Sequence, residues 1–426
     1  MTKPVLSICI PTYNRAGLLE ALLEHLLFVH DLSFETELVI YDNASTDNTE
    51  ELVRSYAERL PIRYFRQTHN VGVEPNTVAS MREARGIYTV YLADDDRLIP
   101  DALERNIAFI KEHPDVVALE VPWILWDEDT DTDLNQFYPL EEPTLFTSDQ
   151  GLDCFNFVLS HGVFPEHAIY KTEILHQVVL LTHRIFVCFA MLFRFFRYGS
   201  VCFHPDSYYR SIVRGDGGLL DGPGGQTGHQ QAVAHLDRYR GGLESGLLSA
   251  LQEVAPMPIP SDVRAQALKL INDFMVVRMQ GSWQLCLGQK DFIAAHEFFS
   301  RRLVWLDDVS ADDVLEWESK YLALVGLQSL VETMEGHTRF DAIVMCDFSK
   351  PENILPGFKY FSQDIRVELR TAVEAIRADD REKHLYLVET PECRQQLLDA
   401  GLLSGHVFCL EHLMDQYRIL PRHFAN

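Results

Sequence analysis

Residues 88–101 read Y-T-V-Y-L-A-D-D-D-R-L-I-P-D, an apolar run followed by a cluster of acidic residues. The apolar first half predicts a buried strand, which ends at the three adjacent carboxylates of Asp94, Asp95 and Asp96. Neighbouring carboxylates raise one another's pKa and disfavour ionisation, so the cluster is costly when nothing compensates it. Bound Mg²⁺ or Mn²⁺ would remove that cost, since one or two carboxylates commonly hold these ions beside substrate phosphates. For the motif alone, the alternative is a solvated turn that caps a helix beginning near Asp101.

The residues before this stretch alternate short apolar runs with amphipathic segments. Strands are expected at 5–10, 38–41, 62–65 and 87–92. Asn14 is placed to cap a first helix, Asp47 or Asn48 a second, and Pro75 opens a third. Strands that are apolar throughout are typical of a parallel sheet covered by helices on both faces. In such α/β sheets, ligands bind beyond the carboxyl ends of the strands.

Polar segments follow the strands at the positions where this rule places a site. They are P-T-Y-N-R at 11–15, D-N-A-S-T-D-N-T at 42–49 and A-D-D-D-R at 93–97. Because the carboxyl ends of parallel strands share one edge of a sheet, the three loops are expected to converge. Three converging polar loops predict a binding site more strongly than the aspartates alone.

The rest of the chain predicts two further parts. Residues 215–228 are glycine-rich and are expected to form a loop, and residues 229–335 carry repeated leucines typical of helices. A second α/β pattern follows, with strands expected at 342–348, 384–388 and 406–410 and helices at 363–378 and 391–400. The predicted division is therefore 1–215, 216–335 and 336–426, the last a small Rossmann-like domain.

Composition restricts the classes of function. The 426 residues carry 37 Lys and Arg against 63 Asp and Glu, a net charge of −26, which disfavours nucleic-acid and membrane-surface partners. With no apolar leader or long apolar span recognised, a cytoplasmic protein is expected, and a homo-oligomer is left open. The eight cysteines form no C-x-x-C pair, so reduced buried thiols are expected rather than disulfides or a zinc site.

Four motifs together resemble the nucleotide-sugar-binding half of glycosyltransferase family 2, which has the GT-A fold. They are P-T-Y-N-R, V-I-Y-D-N-A-S-T-D-N-T, N-V-G-V-E-P-N-T and Y-T-V-Y-L-A-D-D-D-R-L-I-P-D. The resemblance covers residues 4–110 and continues more weakly to about 215. It implies metal-dependent, inverting transfer of a sugar from a nucleoside-diphosphate sugar, with UDP or dTDP favoured, to an acceptor hydroxyl. That acceptor would be a glycan, a lipid-linked sugar, a protein or a small molecule, and many family members build polysaccharides.

The resemblance also implies a role for individual residues. The nucleotide site would consist of Pro11, Thr12, Tyr13, Arg15, Asp42, Asn43, Asn70 and Asp94. Asp42 is expected to accept a hydrogen bond from the N3–H of uracil or thymine, and Gly72 and Asn76 to shape the donor pocket. Mn²⁺ or Mg²⁺ would be held by Asp95, Asp96 and His229.

The general base departs from the family pattern. Val187 and Cys188 occupy the positions of the usual Glu-Asp pair, and a thiol with a pKa of about 8.5 is a poor base, so Cys188 is expected to be structural. Glu166 is the first candidate to replace the aspartate, followed by His183. The further candidates are His161 and His167.

The missing base keeps other functions open. One is a catalytically weak nucleotide-sugar-binding scaffold, with residues 336–426 as an interaction domain. Another is a nucleotidyltransferase, which is disfavoured because the chain lacks a glycine-rich basic loop near its N-terminus. Retention of the donor-side motifs favours the glycosyltransferase.

Overall fold

The computed structural model describes residues 3–179, 185–213, 228–251, 258–305, 309–335, 340–361 and 366–419. By the contacts within the chain it divides into two compact units, Met1–Met275 and Val276–Asn426. Each unit contains its own β-sheets and its own buried apolar core.

The first unit contains two sheets and their surrounding helices. Its strands are Leu6–Thr12 (β1), Thr36–Asp42 (β2), Ile62–Arg66 (β3), Tyr88–Tyr91 (β4), Arg97–Leu98 (β5), Val116–Glu120 (β6), Ile124–Asp127 (β7), Thr132–Gln136 (β8), Thr144–Phe146 (β9), Ala168–Lys171 (β10), Ser200–Phe203 (β11) and Tyr209–Val213 (β12). Its helices are Ala16–His25 (α1), Thr49–Tyr56 (α2), Val73–Arg82 (α3), Pro100–Glu112 (α4), Gly151–Ser160 (α5), Thr172–Val178 (α6), Val187–Leu192 (α7) and Gly228–Leu251 (α8). Helix Ser261–Gln289 (α9) crosses the boundary between the units.

The larger sheet has eight strands in the order β3-β2-β1-β4-β10-β6-β11-β9. Strands β3, β2, β1 and β4 are parallel, whereas β10 runs antiparallel to both of its neighbours. Successive residues Leu6–Ile10 of β1 are buried, which requires cover on both faces because side chains alternate across a strand. The predicted α/β class, with helices on both faces of the sheet, is confirmed.

The strand order brings the predicted loops to one edge. Strand β1 lies between β2 and β4, and Thr12 at its end is paired with Asp42 at the end of β2. The chain adds β2 and β3 on one side of β1 and then crosses to add β4 on the other side. A crevice forms where the order reverses in this way, and it opens beyond the carboxyl ends of β1 and β4.

A smaller sheet in the order β5-β12-β7-β8 lies beside the aspartate loop. Strand β5 begins directly after Asp96 and pairs antiparallel with β12, which aligns Leu98 with Tyr209. This pairing brings residues more than a hundred positions apart in the chain next to the three aspartates.

The second unit is a parallel sheet with helices. Its helices after α9 are Phe292–Trp305 (α10), Ala311–Glu335 (α11), Leu355–Phe361 (α12), Ala372–Arg377 (α13), Pro391–Asp399 (α14) and Leu410–Tyr417 (α15). Its strands are Ala342–Cys346 (β13), Val367–Arg370 (β14), His384–Val388 (β15) and Val407–Cys409 (β16), in the order β14-β13-β15-β16.

Two predictions for this half can be compared with the structure. The predicted boundary at 336 lies between helix α11 and the sheet, and Leu327 and Leu330 of α11 share one core with Ile343 and Met345 of β13. The helix predicted at 363–378 is wrong, because β14 and α13 lie within that range. A strand of four residues and a helix of six are each too short to show a clear hydrophobic periodicity. The sequence pattern therefore does not distinguish the two elements.

Within the part of the chain that the structure describes, no helix combines the length and the apolar character needed to cross a bilayer.

Glu120 is a buried carboxylate at the end of β6. Its side chain is 1% exposed, and its Oε2 has no hydrogen-bond partner among the described residues. Burial raises its pKa to about 8, because the charged form loses its hydration inside the protein. Glu120 is therefore protonated at neutral pH in the folded chain and ionised in the unfolded chain.

We expect Glu120→Gln to stabilise the protein increasingly as the pH rises from 5 to 8. With its folded-state pKa above the unfolded value, the wild-type carboxyl binds more protons when folded, so its contribution to stability falls as pH rises in this range. Glutamine does not titrate, and the free energy difference should grow by roughly 1.4 kcal/mol per pH unit at most. Urea unfolding of both proteins at pH 5, 6, 7 and 8 measures this, and a pH-independent difference would contradict it.

Candidate functional site

Hydrogen bonds join the three strand-end loops directly. Thr12 donates its hydroxyl to Asp94 Oδ2 at 2.7 Å, which links the end of β1 to the loop after β4. The backbone N–H of Asn43 donates to the Thr12 carbonyl at 2.9 Å, and its side-chain Nδ2 donates to Asn70 Oδ1 at 2.9 Å. The predicted convergence of the polar loops is confirmed by these contacts.

Two non-glycine residues in these loops adopt left-handed backbone conformations. Asn14 has a φ of 51° and Ala44 a φ of 64°. The Asn14 side chain compensates by accepting a hydrogen bond from the Thr46 N–H at 2.7 Å, whereas alanine has no such group. The conformation of Ala44 therefore costs about 1–2 kcal/mol, and strain of this kind is concentrated at binding sites.

Asp47, rather than Asn14, caps the first helix. The N–H of Ala16, which begins α1, donates to Asp47 Oδ2 at 3.0 Å, and the N–H of Thr49, which begins α2, donates to Asp47 Oδ1 at 3.2 Å. The prediction of Asn14 as the cap is wrong because its Oδ1 is already bound to Thr46. One carboxylate thus fixes the starts of two helices beside the cavity.

A cavity of about 420 Å³ lies where the loops meet. Its lining is Pro11, Thr12, Tyr13, Arg15, Asn43, Asn70, Gly72, Val73, Asn76, Tyr91, Ala93 and Asp94. A larger groove of about 1050 Å³ lies at the start of the same strands, but its Arg63 and Glu37 are paired with each other at 3.1 Å. The smaller cavity has the polar groups and the sheet edge expected of a ligand site.

Arg15 holds two of the aspartates together. Its Nη1 donates to Asp94 Oδ1 at 2.9 Å and to Asp95 Oδ2 at 3.0 Å. Burial alone would lower the pKa of Arg15, but the two carboxylates outweigh it and raise that pKa. Burial and then the charge of Asp95 raise the pKa of Asp94 to about 6, against the opposing effects of Arg15 and Thr12.

Asp96 is directed toward the smaller sheet. Its Oδ2 accepts from the Tyr209 hydroxyl at 2.7 Å and its Oδ1 from the Ile212 N–H at 2.8 Å. Burial and the charge of Asp95 raise its pKa to about 7, although the bonds to Tyr209 and Ile212 act in the opposite direction. Tyr209 is a site residue that the sequence analysis did not assign.

The predicted metal ligands are Asp95, Asp96 and His229. Among the described residues, no three His, Cys, Asp or Glu side chains form a cluster suited to a metal ion. Asp96 is bound to Tyr209 and Ile212, and the side chain of His229 in α8 lies outside the described residues.

The carboxylates that do converge are those of Asp95 and of Asp94, which was predicted for the nucleotide site. Both are bound by Arg15, and two carboxylates are the protein share of many Mg²⁺ and Mn²⁺ sites.

Glu166 lies within electrostatic reach of the aspartates. Burial is the largest cause of the raised pKa values of Tyr91, Asp96 and Cys188, and the charge of Glu166 raises all three further. Cys188 is 8% exposed, which confirms the expectation of a buried thiol, and its pKa lies well above the ordinary range. Glu166 is therefore close enough to Asp96 and Cys188 for its charge to act on both.

The histidine candidates are less suited to act as a base. His167 is buried, stacks on Tyr209 at 3.6 Å between ring centroids, and has its pKa lowered to about 3 by burial. His161 is exposed at the end of α5. His183 lies outside the described residues.

Asp42 lies behind the cavity rather than in its lining. Its Oδ1 accepts from the Ser45 N–H at 2.8 Å, and its Oδ2 accepts from the Tyr64 hydroxyl at 2.7 Å and faces Arg66 at 3.3 Å. With the side chain 1% exposed, both oxygens are used to hold the loop after β2. Asn43, the next residue, lines the cavity instead.

Comparison with known proteins finds a family whose model resembles the N-terminal part of this chain. Residues 7–196 match the model of Glycosyl transferase family 2. Abequosyltransferase RfbV of Salmonella typhimurium is 36% identical over 114 residues, which are 26% of this chain and 34% of that protein. Validoxylamine A glucosyltransferase of Streptomyces hygroscopicus is 47% identical over 64 residues, 15% of each chain. The chain thus spans 34% of the length of the first relative and 15% of the length of the second.

A solved structure has a similar arrangement. It is that of Staphylococcus aureus TarS 1-349 in complex with UDP-GlcNAc, with 15% sequence identity and a TM-score of 0.46 over 75% of this chain and 84% of that one. This likeness is too low to support an argument about the site. The family match and the mixed sheet are sufficient to confirm the predicted GT-A-type fold.

Tyr209, the first residue of β12, and Tyr208, the residue before it, give a matched test of the site. Tyr209→Phe removes the donor to Asp96 and the acceptor for the Ala93 N–H, and we expect it to lower the free energy of unfolding by about 1–3 kcal/mol. Tyr208 is equally buried, but its hydroxyl has no hydrogen-bond partner among the described residues, so Tyr208→Phe should cost under about 0.5 kcal/mol. Urea unfolding measures both, and equal losses would contradict the assignment.

Proposed function

We propose that this chain, whose N-terminal half is a glycosyltransferase family 2 domain, transfers a sugar from a nucleoside-diphosphate sugar to an acceptor hydroxyl. The favoured donors carry UDP or dTDP, and the anomeric centre is inverted. The observation that carries the proposal is the cavity at the ends of β1, β2 and β4, which has Asp94 and Arg15 in its wall and Asp95 beside them.

The relatives support sugar transfer in general rather than one sugar. Their names specify abequose, glucose and, for the TarS protein of Staphylococcus aureus, N-acetylglucosamine on poly(ribitol-phosphate). The TarS match covers 26% of this chain at 31% identity. These names differ in the sugar, so they support the class of reaction and leave the sugar and the acceptor to experiment.

The cavity wall provides the groups that a nucleotide requires. Pro11 and Tyr13 offer apolar and aromatic surface for the base and ribose, and Asn43 and Asn70 fix the opposite wall by their mutual hydrogen bond. Arg15 is placed to meet the diphosphate, because a guanidinium binds phosphate oxygens as readily as carboxylates.

Asp94 and Asp95 fit a divalent cation, either Mn²⁺ or Mg²⁺. Their carboxylates converge on the Arg15 guanidinium, so a positive charge is already accommodated between them. The ion would supply a Lewis acid for the leaving diphosphate. Asp96 would contribute indirectly, by anchoring the loop to Tyr209 and Ile212.

Glu166 is the residue we assign as general base. Inverting transfer requires one group that removes the proton from the acceptor hydroxyl. Glu166 is partly exposed and lies close enough to Asp96 and Cys188 to raise their pKa values. Cys188 itself is excluded because burial raises the pKa of its thiol far above neutrality.

Nucleotide binding is the first test of this function. Calorimetric titration with UDP, dTDP, GDP and CDP, each with and without Mn²⁺, should show metal-dependent binding of UDP or dTDP. Asp95→Ala should weaken it at least about tenfold, since a metal ligand is lost. Asp101→Ala, which removes an exposed carboxylate at the start of α4, should bind as the wild type does. Absence of binding to all four nucleotides would contradict the proposal.

Substitution of the base tests the chemistry. We expect Glu166→Gln to lower kcat for UDP release from a UDP-sugar by about 10²–10⁴-fold while the affinity for UDP stays unchanged, because only the proton acceptor is removed. The exposed Glu173→Gln on α6 is the matched control and should keep full activity. Full activity of Glu166→Gln would contradict this role, and nucleotide binding without any transfer by the wild type would favour the scaffold instead.

A further inference from the structure

His167 directly follows Glu166, the residue assigned as general base, and is 5% exposed. Its carbonyl accepts a hydrogen bond from the Val121 N–H at 3.0 Å, and strand β10 begins at the next residue, Ala168. Strand β10 lies between β4 and β6 in the larger sheet. The N–H of Glu166 donates to the Phe164 carbonyl at 2.9 Å. The backbone around the base is therefore fixed on both sides.

The ring of His167 contacts three aromatic side chains from different parts of the first unit. It stacks on Tyr209 of β12, with the ring centroids 3.6 Å apart and an angle of 23° between the planes. It meets Trp123, between β6 and β7, edge-on at 4.9 Å, and its centroid lies 6.4 Å from that of Tyr91 of β4. Because protein interiors leave little free volume, a buried ring with neighbours on several elements has a fixed position.

Packing, rather than charge, holds this imidazole in place. Burial lowers the pKa of His167 to about 3, so the ring is neutral at neutral pH. Its Nδ1 is buried and has no hydrogen-bond partner among the described residues. A phenylalanine ring can make the same stacking contact with Tyr209, whereas an alanine side chain cannot.

Tyr209 connects this ring to the aspartate loop. Its hydroxyl donates to Asp96 Oδ2 at 2.7 Å and accepts from the Ala93 N–H at 3.1 Å. The connection from Glu166 to the aspartates thus consists of one peptide bond, one ring contact and the hydrogen bonds of one hydroxyl. Of these links, the ring contact is the one that a substitution of His167 removes.

We propose that His167 is a positioning residue for sugar transfer: its ring, stacked on Tyr209, sets the distance between Glu166 and the aspartate loop. This inference rests on the proposed function. There the acceptor oxygen bonds to the anomeric carbon as its proton passes to Glu166, and the electron pair of the bond to the diphosphate leaves with that group. Base and diphosphate site must keep a fixed separation, since a misplacement of about 1 Å costs on the order of 10²-fold in rate.

Two substitutions of His167 separate the ring from its nitrogens. The measurement is kcat for UDP release from UDP-glucose and from UDP-N-acetylglucosamine, per UDP site counted by calorimetry. We expect His167→Ala to lower kcat about 10- to 100-fold, because Glu166 loses its support, while the affinity for UDP stays within about twofold. His167→Phe keeps the stacked ring and should retain kcat within about threefold. Equal losses in both variants, or full activity of His167→Ala, would overturn the proposal.

His113 provides a matched control. Its imidazole also stacks on an aromatic ring, that of Phe109, with centroids 4.1 Å apart. It precedes β6, which runs parallel to β4 because β10 is antiparallel to both strands. His113 therefore lies at the end of the sheet opposite to the aspartates, which follow β4. His113→Ala should keep the wild-type kcat, which shows that the loss of a stacked imidazole is not sufficient by itself.

A double-substitution cycle tests whether His167 acts through Tyr209. Tyr209→Phe keeps the ring but removes the hydroxyl bound to Asp96, so it should lower kcat by itself. If both residues act through one connection, the variant with His167→Ala and Tyr209→Phe should be no slower than the slower single variant. Losses that multiply would show independent roles and overturn the proposal. His167→Gln, read in the same way, replaces His167→Ala if that variant does not fold.

The outcomes distinguish this proposal from the proposed function. If the wild type releases UDP and Glu166→Gln lowers kcat while His167→Ala does not, Glu166 remains the base and His167 has no positioning role. If the wild type binds no nucleotide, or binds UDP and releases none from either sugar, the proposed function fails and this proposal fails with it.

Discussion

Arg15 lies between the carboxylates of Asp94 and Asp95, 2.9 and 3.0 Å from their oxygens, at an edge of the sheet where both aspartates are largely buried. Buried carboxylates so close together would otherwise take up protons rather than stay ionised. Two further aspartate oxygens are satisfied by the Thr12 and Tyr209 hydroxyls. These hydroxyl donors come from the ends of β1 and β12. Both strands must therefore lie next to the aspartate loop for the carboxylates to be satisfied.

The same compensation gives the site its chemistry. The carboxylates of Asp94 and Asp95 bind one positive charge, that of Arg15, and a divalent cation could take its place. The Arg15 guanidinium would then be available to bind a diphosphate. The left-handed Ala44 and the shared cap at Asp47 fix the loop after β2 against the start of α1. The cavity is therefore formed by the folded chain before any ligand arrives, as most small-molecule sites are.

The convergence of the loops was predictable because it follows from a local rule. Apolar strands followed by polar loops indicate a parallel sheet, and its carboxyl ends share one edge. The bond between Asp96 and Tyr209 was not predictable, since it spans 113 positions and depends on the pairing of β5 with β12. Asp47 was predicted to cap one helix and caps two. The second cap was not predictable, because it depends on a contact between residues 31 positions apart.

Other differences between the sequence-based predictions and the structure have different physical causes. The strand β14 and helix α13 have four and six residues, too few for either periodicity to be distinct. Asp42 matches the family motif, but the sequence does not reveal that Tyr64 and Arg66, in the next strand, use its oxygens. The candidate base was identified by position alone, and its proximity to Asp96 required the fold.

Hydrogen–deuterium exchange of the full chain, with and without UDP and Mn²⁺, measures whether the loops after β1, β2, β3 and β4 form one nucleotide site. Protection is predicted in peptides covering 11–15, 42–46, 70–76 and 93–96, with unchanged exchange in the second unit, 276–426. Protection confined to the second unit, or no change in these loops at saturating UDP, would contradict the account.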